Sequence, residues 1–532
     1  MKSIRGIHNA AMITGRYPDG LLRTFIAPAF KGKPDDNTEN CSDYRGIQYA
    51  DVVSKALGNV ILTLVQEPFA RTRATGEMQH GFTLRRDRSM AIADLLQRGV
   101  TAGPNGFLCI FGDLRAAFDR VPWDLMQASL RKAGLSEMAA AAFVNRMQAE
   151  AEVFHRPSGT RSRRFRRDKG TCQGDPISPV GFAASLQPSN EFVRRECAGK
   201  GARLCPTGAA GGEDEPELLY ADDMVVVLSK NTDAVHTAAV LTVGHAEAGH
   251  ELGVRAVREG YTSKTAILAT GLVREAFNAH DSDVEEGRAI AIDPDDLQAA
   301  VHGITADPIS TGPATPIHLV HRYDYLGFRI STRRVNVRTE SGDVRNLHML
   351  DPLPHVKRQI RKVKRSIYFL RQAAVNSDWS VSQLSQLMFG VVYGGLLQDL
   401  HLSTPATGIE AAQGYKVKDD VLGVKGLGMN STILECVDKL LACVRAILVE
   451  AQWTLPECVD GQRLPTILAR TVVWTPNAAE RSLVQTYASG VAALSHDTPS
   501  PLRRAMKMMV SEGSPPAHGP VVNMATAVAY QH

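Results

Sequence analysis

A mixed α+β chain is predicted by three stretches of the 532-residue sequence. Tyr220-Ala221-Asp222-Asp223 has Leu218-Leu219 before it and Met224-Val225-Val226-Val227-Leu228 after it, the pattern of strand, tight turn, strand. Phe107-Leu108-Cys109-Ile110-Phe111 is an apolar run of strand length that ends at Gly112-Asp113. Val356, Ile360, Val363, Ile367 and Leu370 step by 4, 3, 4 and 3, which draws one apolar stripe along a helix.

The first stretch places Asp222 and Asp223 side by side at a hairpin tip. Two anions held together by buried strands are costly unless a cation neutralises them, and Mg²⁺ prefers carboxylate oxygen. The second stretch supplies a third carboxylate, Asp113, at a strand end. Beyond it the alternation stops, and Leu114 to Pro122 forms a turn into the helical stretch Trp123 to Lys132. A strand end with one Asp facing a hairpin with two more is how a two-metal phosphoryl-transfer site is assembled. Asp113 and Asp222 are the expected bridging carboxylates, Asp223 completes the anionic site, and the backbone carbonyl of Leu114 is a further candidate ligand. A purely structural anion is the alternative for Asp223.

Around these carboxylates the chain resembles the reverse transcriptases of non-LTR (LINE-type) retrotransposons, over roughly residues 20 to 400. Lys31-Gly32-Lys33 with Cys41-Ser42-Asp43-Tyr44-Arg45-Gly46-Ile47 is similar to the family's opening segment, and Gln79-His80-Gly81-Phe82 with Arg86 to its fingers motif. Asp113 to Val121 resembles the first palm motif, Gly170 to Pro179 the second and Tyr220 to Asp223 the third. Ser263-Lys264-Thr265 resembles the fourth and Tyr325-Leu326-Gly327 the primer-grip segment, with a fainter echo at Tyr393-Gly394. The blocks stand in the family's order.

That resemblance implies a right-hand polymerase with fingers, a palm of antiparallel sheet with packed helices, and a helical thumb. It implies that Phe118 stacks under the incoming ribose and favours dNTPs over NTPs, with plain core packing as the alternative. Gln173 and Gly174 are expected beside the nascent base pair, the small Gly allowing close backbone approach. Lys264 is expected as the acid near the leaving pyrophosphate, or else as a solvated lysine. Arg86 is expected to face the triphosphate, although Arg85 stands where the family often has glycine. Tyr220, Tyr325, Leu326 and Gly327 are carried over as nucleic-acid contacts.

Charge is unevenly placed although the formal net charge is only +4. Arg156, Arg161, Arg163, Arg164, Arg166, Arg167 and Lys169 crowd the segment before Gly170, a density that attracts phosphates through counterion release. On the striped helix, Lys357, Arg358, Arg361, Lys362, Lys364, Arg365 and Arg371 fill much of the remaining surface. Such a helix suits a thumb whose outer face follows a duplex backbone. Solvated basic surface is the alternative for both.

These landmarks place fingers at 1–105, palm at 106–345 with a Gly- and Ala-rich surface-loop insertion near 199–216 and an acidic, Pro-containing one near 275–316, thumb at 346–405, a helical region at 406–510 and a disordered tail at 511–532. The eight cysteines, at 41, 109, 172, 197, 205, 436, 443 and 458, form no CxxC pair and no secretory signal precedes them, which points to a reducing intracellular compartment, the nucleus in a eukaryote. No zinc knuckle, RNase H domain or membrane span is evident. An endonuclease domain has no room before the first fingers block, so the chain is expected to be a fragment, a truncated element or a protein that borrows its nicking activity from a separate endonuclease partner. The expected activity is RNA-directed DNA polymerisation with two Mg²⁺ ions, Mn²⁺ as a substitute, and template RNA, DNA primer and dNTPs as partners. The rival expectations are a non-catalytic RNA-binding scaffold or splicing partner, and an RNA-dependent RNA polymerase.

Overall fold

The computed structural model describes residues 2–32, 38–155, 158–205, 215–253, 264–307, 309, 316–376, 390–391, 394–405, 417–421, 424–451, 458–459, 462–463, 477–495, 501–512 and 519–531. Of the residues singled out above, Lys33, Arg156, Ser263 and Tyr393 lie outside these, as do the side chains of Leu370 and Arg371. Helix α1 (Lys2–Thr14) precedes strands β1 (Arg23–Phe30) and β2 (Tyr44–Ala50) and helices α2 (Val52–Thr72) and α3 (Arg88–Ala102). Strand β3 (Leu108–Asp113) leads through the short α4 (Ala117–Arg120) into α5 (Trp123–Lys132), α6 (Glu137–Met147), β4 (Glu150–His155), β5 (Thr160–Arg161) and α7 (Ser178–Glu196). The hairpin β6 (Glu217–Tyr220) and β7 (Asp223–Leu228) follows, then α8 (Ala234–Glu247), β8 (Ala266–Ala269), α9 (Gly271–Glu275) and α10 (Asp281–Glu285). Next come β9 (Ile290–Ile292), α11 (Pro294–Ile304), β10 (Ile317–His318), β11 (Arg322–Tyr325), β12 (Phe328–Arg338), β13 (Val344–Leu350) and the long α12 (Leu353–Asn376). Toward the C-terminus lie α13 (Ser431–Ala451), α14 (Ala478–Leu494), α15 (Pro501–Glu512) and α16 (Pro520–Gln531). The architecture is α+β, with the helices packed on sheets that are antiparallel except for the parallel pair β1–β4.

The central sheet has the order β6-β7-β3-β8, all antiparallel. Both of its faces are covered, which is why its strands are continuous apolar runs in the sequence. Leu108 and Ile110 of β3 and Met224, Val226 and Leu228 of β7 share one core with residues of α5 to α8. Cys109 and Phe111 of β3 and Val225 and Val227 of β7 face a second core with α3, β11, β12 and the C-terminal helices. Side chains of this kind contribute roughly 1.5–3 kcal/mol each when fully buried. Helix starts are fixed locally: Asp51 caps α2 by accepting from Ser54 N at 2.8 Å, and Asp87 caps α3 by accepting from Met90 N at 3.0 Å.

A second sheet, β2-β1-β4-β5, meets the loop that precedes α7 through a close backbone contact in which Gln48 N donates to Gln173 O at 2.6 Å. Two expectations are corrected here, and the second insertion is described beside them. The 199–216 stretch is no simple surface loop: Gly201 bridges to Leu228, Ala202 N donates to Val227 O at 3.0 Å, and Ala202 and Leu204 are buried. Residues 206–214 of it lie outside the described residues. The described part of the 275–316 insertion is folded, with Leu297 and Val301 of α11 buried where that helix packs on α8, and residues 308 and 310–315 lie outside the described residues. The expected disordered tail instead contains α16, whose Val521, Val522, Met524 and Ala525 are buried, and which packs on α3, α14 and α15. Gly, Ser and Pro at 511–520 suggested disorder, whereas the apolar run after Pro520 decides the outcome.

Candidate active site

Asp113 ends β3 directly opposite Asp223, the first residue of β7. Residues paired across an antiparallel ladder point to the same face, so both carboxylates project together. Tyr220 pairs with Asp223 to close a two-residue turn of Ala221 and Asp222, which brings the third carboxylate to the same end of the sheet. Ala221 adopts a φ of 58°, a left-handed conformation that costs a residue with a Cβ about 1 kcal/mol.

Gln79, fully buried, holds that turn: its Oε1 accepts from Ala221 N at 2.8 Å and Gly81 N at 2.9 Å, and its Nε2 donates to Ala221 O at 3.4 Å. The 78–80 backbone continues the grip, with His80 N donating to Leu219 O at 2.7 Å and Leu219 N donating to Met78 O at 3.1 Å. Gly81 has to be glycine because a Cβ there would lie 2.4 Å from Ala221 N. The fingers-motif resemblance marked Gln79 and Gly81, but not that they brace the carboxylate turn.

The three carboxylates repel one another. Burial, then Asp222 and Asp113, push Asp223 up to about 6, against the pull of Lys264. Burial also raises Asp222, as does Asp113, while a hydrogen bond from its own backbone, Lys264 and Arg45 pull it down. Lys264 Nζ forms an ion pair with Asp113 Oδ1, so this half-exposed lysine stands among the carboxylates. Arg45, exposed on β2, is a cation whose part in the site the sequence did not single out. Tyr323 was also missed: its hydroxyl donates to Lys264 O at 2.5 Å and its ring lies flat on Phe111, with centroids 3.8 Å apart. Leu114 is bridged to Leu252, and Gly253 N donates to Asp113 O at 2.6 Å, so the 251–253 segment fixes the end of β3.

Other expected residues fall into place unevenly. Phe118 is half-buried, its ring stacked on Phe182 at 4.2 Å between centroids, and its carbonyl accepts from Thr171 N at 2.7 Å. Gln173 is partly exposed beside β2, and Gly174, at φ 107°, makes its close approach to the Gln48 carbonyl. Tyr220 is partly exposed, with Phe82 as a tilted ring neighbour at 6.5 Å.

Several contacts inferred from the sequence are redirected. Arg86 does not face an open triphosphate site: its Nη1 donates to the carbonyls of Glu77 and, at 3.1 Å, Gln79, and burial lowers its pKa to about 10. The turn there is set by Arg85 at φ 62°, the conformation that glycine supplies more readily. Tyr325 points into the core, its hydroxyl lacking a partner among the described residues, and is not presented to a nucleic acid; Leu326 and Gly327 form the turn beyond it. Arg167 turns inward to Met147 O at 2.6 Å and Thr171 O at 3.0 Å. Arg164 lies 3.7 Å from Glu152 and Arg166 3.2 Å from Glu150, so carboxylates answer part of that basic run, while Arg163 is exposed. On α12, Val356, Val363 and Ile367 are buried and Arg361, Lys362, Lys364 and Arg365 are exposed.

An all-oxygen donor set of mutually repelling carboxylates, partly shielded from water, fits a hard divalent cation such as Mg²⁺. Residues 31–262, which include all three carboxylates, match the family of reverse transcriptases (RNA-dependent DNA polymerases).

Proposed function

We propose that this chain, a member of the reverse transcriptase family over residues 31–262, is a catalytically competent RNA-directed DNA polymerase of a non-LTR retroelement that adds dNTPs to a primer 3′-hydroxyl. The observation that carries the reading is the meeting of Asp113, Asp222 and Asp223 at one end of the central sheet, with Asp113 and Asp223 in register. These three, with the Leu114 carbonyl, would hold two Mg²⁺ ions, or Mn²⁺ in their place, which acidify the primer hydroxyl and neutralise the triphosphate.

The chain's own groups supply the rest. Gln79 and Gly81 keep Asp222 in position through the turn. Lys264 offsets the carboxylate charge and is the proton donor toward the leaving pyrophosphate. Phe118 meets the sugar at C2′ and disfavours a 2′-hydroxyl, with Phe182 fixing its ring. Gln173 and Gly174 lie near the nascent pair, Tyr220 and the Leu326-Gly327 turn near the primer, and Arg163, Arg164, Arg166, Arg361, Lys362 and Arg365 near phosphates. Fingers to about 105, palm to about 345 and thumb to about 405 remain the proposed divisions. Template RNA and a DNA primer are the proposed partners, with nicking left to a separate endonuclease. Among the described residues no helix is long and apolar enough to cross a membrane, and a nuclear location in a eukaryotic host is part of the proposal.

Primer extension on an RNA template tests it, with Mg²⁺ and either dNTPs or NTPs. Extension with dNTPs, and a rise in NTP use in Phe118→Ala, are expected. Extension with NTPs alone would replace this reading with an RNA polymerase, and binding without extension would replace it with an RNA scaffold.

A further inference from the structure

A second cluster of ligating groups lies apart from the carboxylate site. Asp281 opens α10, His321 immediately precedes β11, and His348 lies in β13. One ligand atom from each lies within 4.8 Å of the others. His348 Nε2 is 2.9 Å and His321 Nε2 3.8 Å from the same Asp281 Oδ1, and the two imidazoles stack at 4.7 Å. Tetrahedral ligands about 2.0–2.1 Å from a zinc ion stand about 3.3 Å from one another. The two distances bracket that separation.

Hydrogen bonding alone leaves the cluster poorly satisfied. Arg334 Nε stands 2.6 Å from Asp281 Oδ2 and 3.1 Å from His348 Nε2. With a proton on Nε2, His348 donates to Asp281 but opposes the Arg334 N–H. Without one, it accepts from Arg334 but sets a lone pair against the carboxylate. A cation between Nε2 and Oδ1 removes the conflict, provided that Arg334 turns away. It is half-exposed, with Glu275 3.9 Å from its Nη2 as an alternative partner. Arg274, buried, stays 3.7 Å from Asp281 Oδ1, where it can orient the carboxylate from outside the ligand set.

We propose that Asp281, His321 and His348 form a binding site for a zinc-class transition-metal ion, separate from the Mg²⁺ site. Two imidazoles and one carboxylate favour Zn²⁺ over Mg²⁺. The ion would tie the 275–316 insertion to the strands that carry the Leu326-Gly327 turn, acting as a structural clip that leaves one coordination position for water.

The test uses the full chain, Zn²⁺ or Co²⁺ as the probe, and excess Mg²⁺ to occupy oxygen-only sites. One Zn²⁺ per chain, a melting temperature raised by Zn²⁺, and visible Co²⁺ absorption of a tetrahedral nitrogen-ligated site are expected. Affinity should fall at least tenfold in His321→Gln, His348→Gln and Asp281→Asn, hold or improve in Arg334→Ala, and stay unchanged in Asp222→Asn. Absence of stoichiometric zinc in the wild type, or its retention in both His→Gln variants, would overturn the site. The Co²⁺ spectrum of the wild type decides the matter should the variants fail to fold.

Discussion

The β6–β7 and β11–β12 hairpins both close in two residues, and they are held in different ways. The Leu326-Gly327 turn between β11 and β12 has φ values of 51° and 81°, the pair of positive angles that suits a tight hairpin, with glycine at the second position. Arg88 donates to its Leu326 carbonyl. The Ala221-Asp222 turn between β6 and β7 has no glycine, yet Ala221 stands at φ 58°. Gln79 binds both the N–H and the carbonyl of that alanine. One turn thus combines a glycine of its own with a single hydrogen bond from Arg88, while the other lacks glycine and is held at both its N–H and its carbonyl by Gln79. The difference teaches that a turn carrying clustered anions needs a scaffold outside itself, because carboxylate repulsion adds to backbone strain.

Removing the brace should have the largest effect. Gln79→Ala leaves the Ala221 and Gly81 N–H groups buried without their acceptor and should cost about 2–4 kcal/mol in thermal or denaturant unfolding. Primer extension should fall at least tenfold as Asp222 shifts. Unaltered stability and rate would mean that the turn holds itself.

Relieving the repulsion should act in the opposite direction. Folded Asp223 keeps its proton up to about pH 6, against an ordinary value of 3.8, so folding takes up a proton between these values. Stability therefore declines as pH rises through that window. Asp223→Asn should melt higher than wild type at pH 7 in cation-free buffer, by roughly 1–2 kcal/mol after allowance for solvent screening. Below about pH 4 the advantage should disappear. An Asn variant no more stable at pH 7 would show that Lys264 already balances the site.

The glycine-containing turn should respond less to substitution. Gly327→Ala forces a Cβ into the left-handed region, at a cost of about 1 kcal/mol, and should change extension much less than Gln79→Ala. Equal losses of rate in the two variants would erase the distinction. The smallest effect on stability belongs to the exposed cations of α12. Lys362→Glu with Arg365→Glu should leave melting nearly unchanged and reduce the slope of log affinity for RNA–DNA hybrid against log salt by roughly 1–2. An unchanged slope would return that face to plain solvated surface.

The carboxylate hairpin was legible because strands buried on both faces leave unbroken apolar runs, and the polar break between them marks a tip. Asp113 was legible for the same reason at the end of β3, and the stripe on α12 because its period is helical. The brace was not legible. A glutamine reads as surface, and only the approach of residues 78–81 to β6 buries Gln79. Resemblance placed Tyr325 at a nucleic-acid contact, but strand alternation puts it, like Phe328, in the core. Arg86 was expected to face the ligand; the turn at Arg85 aims it at backbone carbonyls instead. Asp281, His321 and His348 carry no spacing signal, because three separate elements bring them together.

Divalent-cation binding measures the central arrangement most directly, through Mn²⁺ titrations followed by electron paramagnetic resonance on the wild type, Asp113→Asn and Asp222→Asn, with dNTP present. If the three carboxylates form one site, either substitution weakens Mn²⁺ binding at least tenfold while the fold survives. Equal Mn²⁺ affinity in all three proteins would contradict it, and the hairpin would then be a structural turn that happens to carry two aspartates.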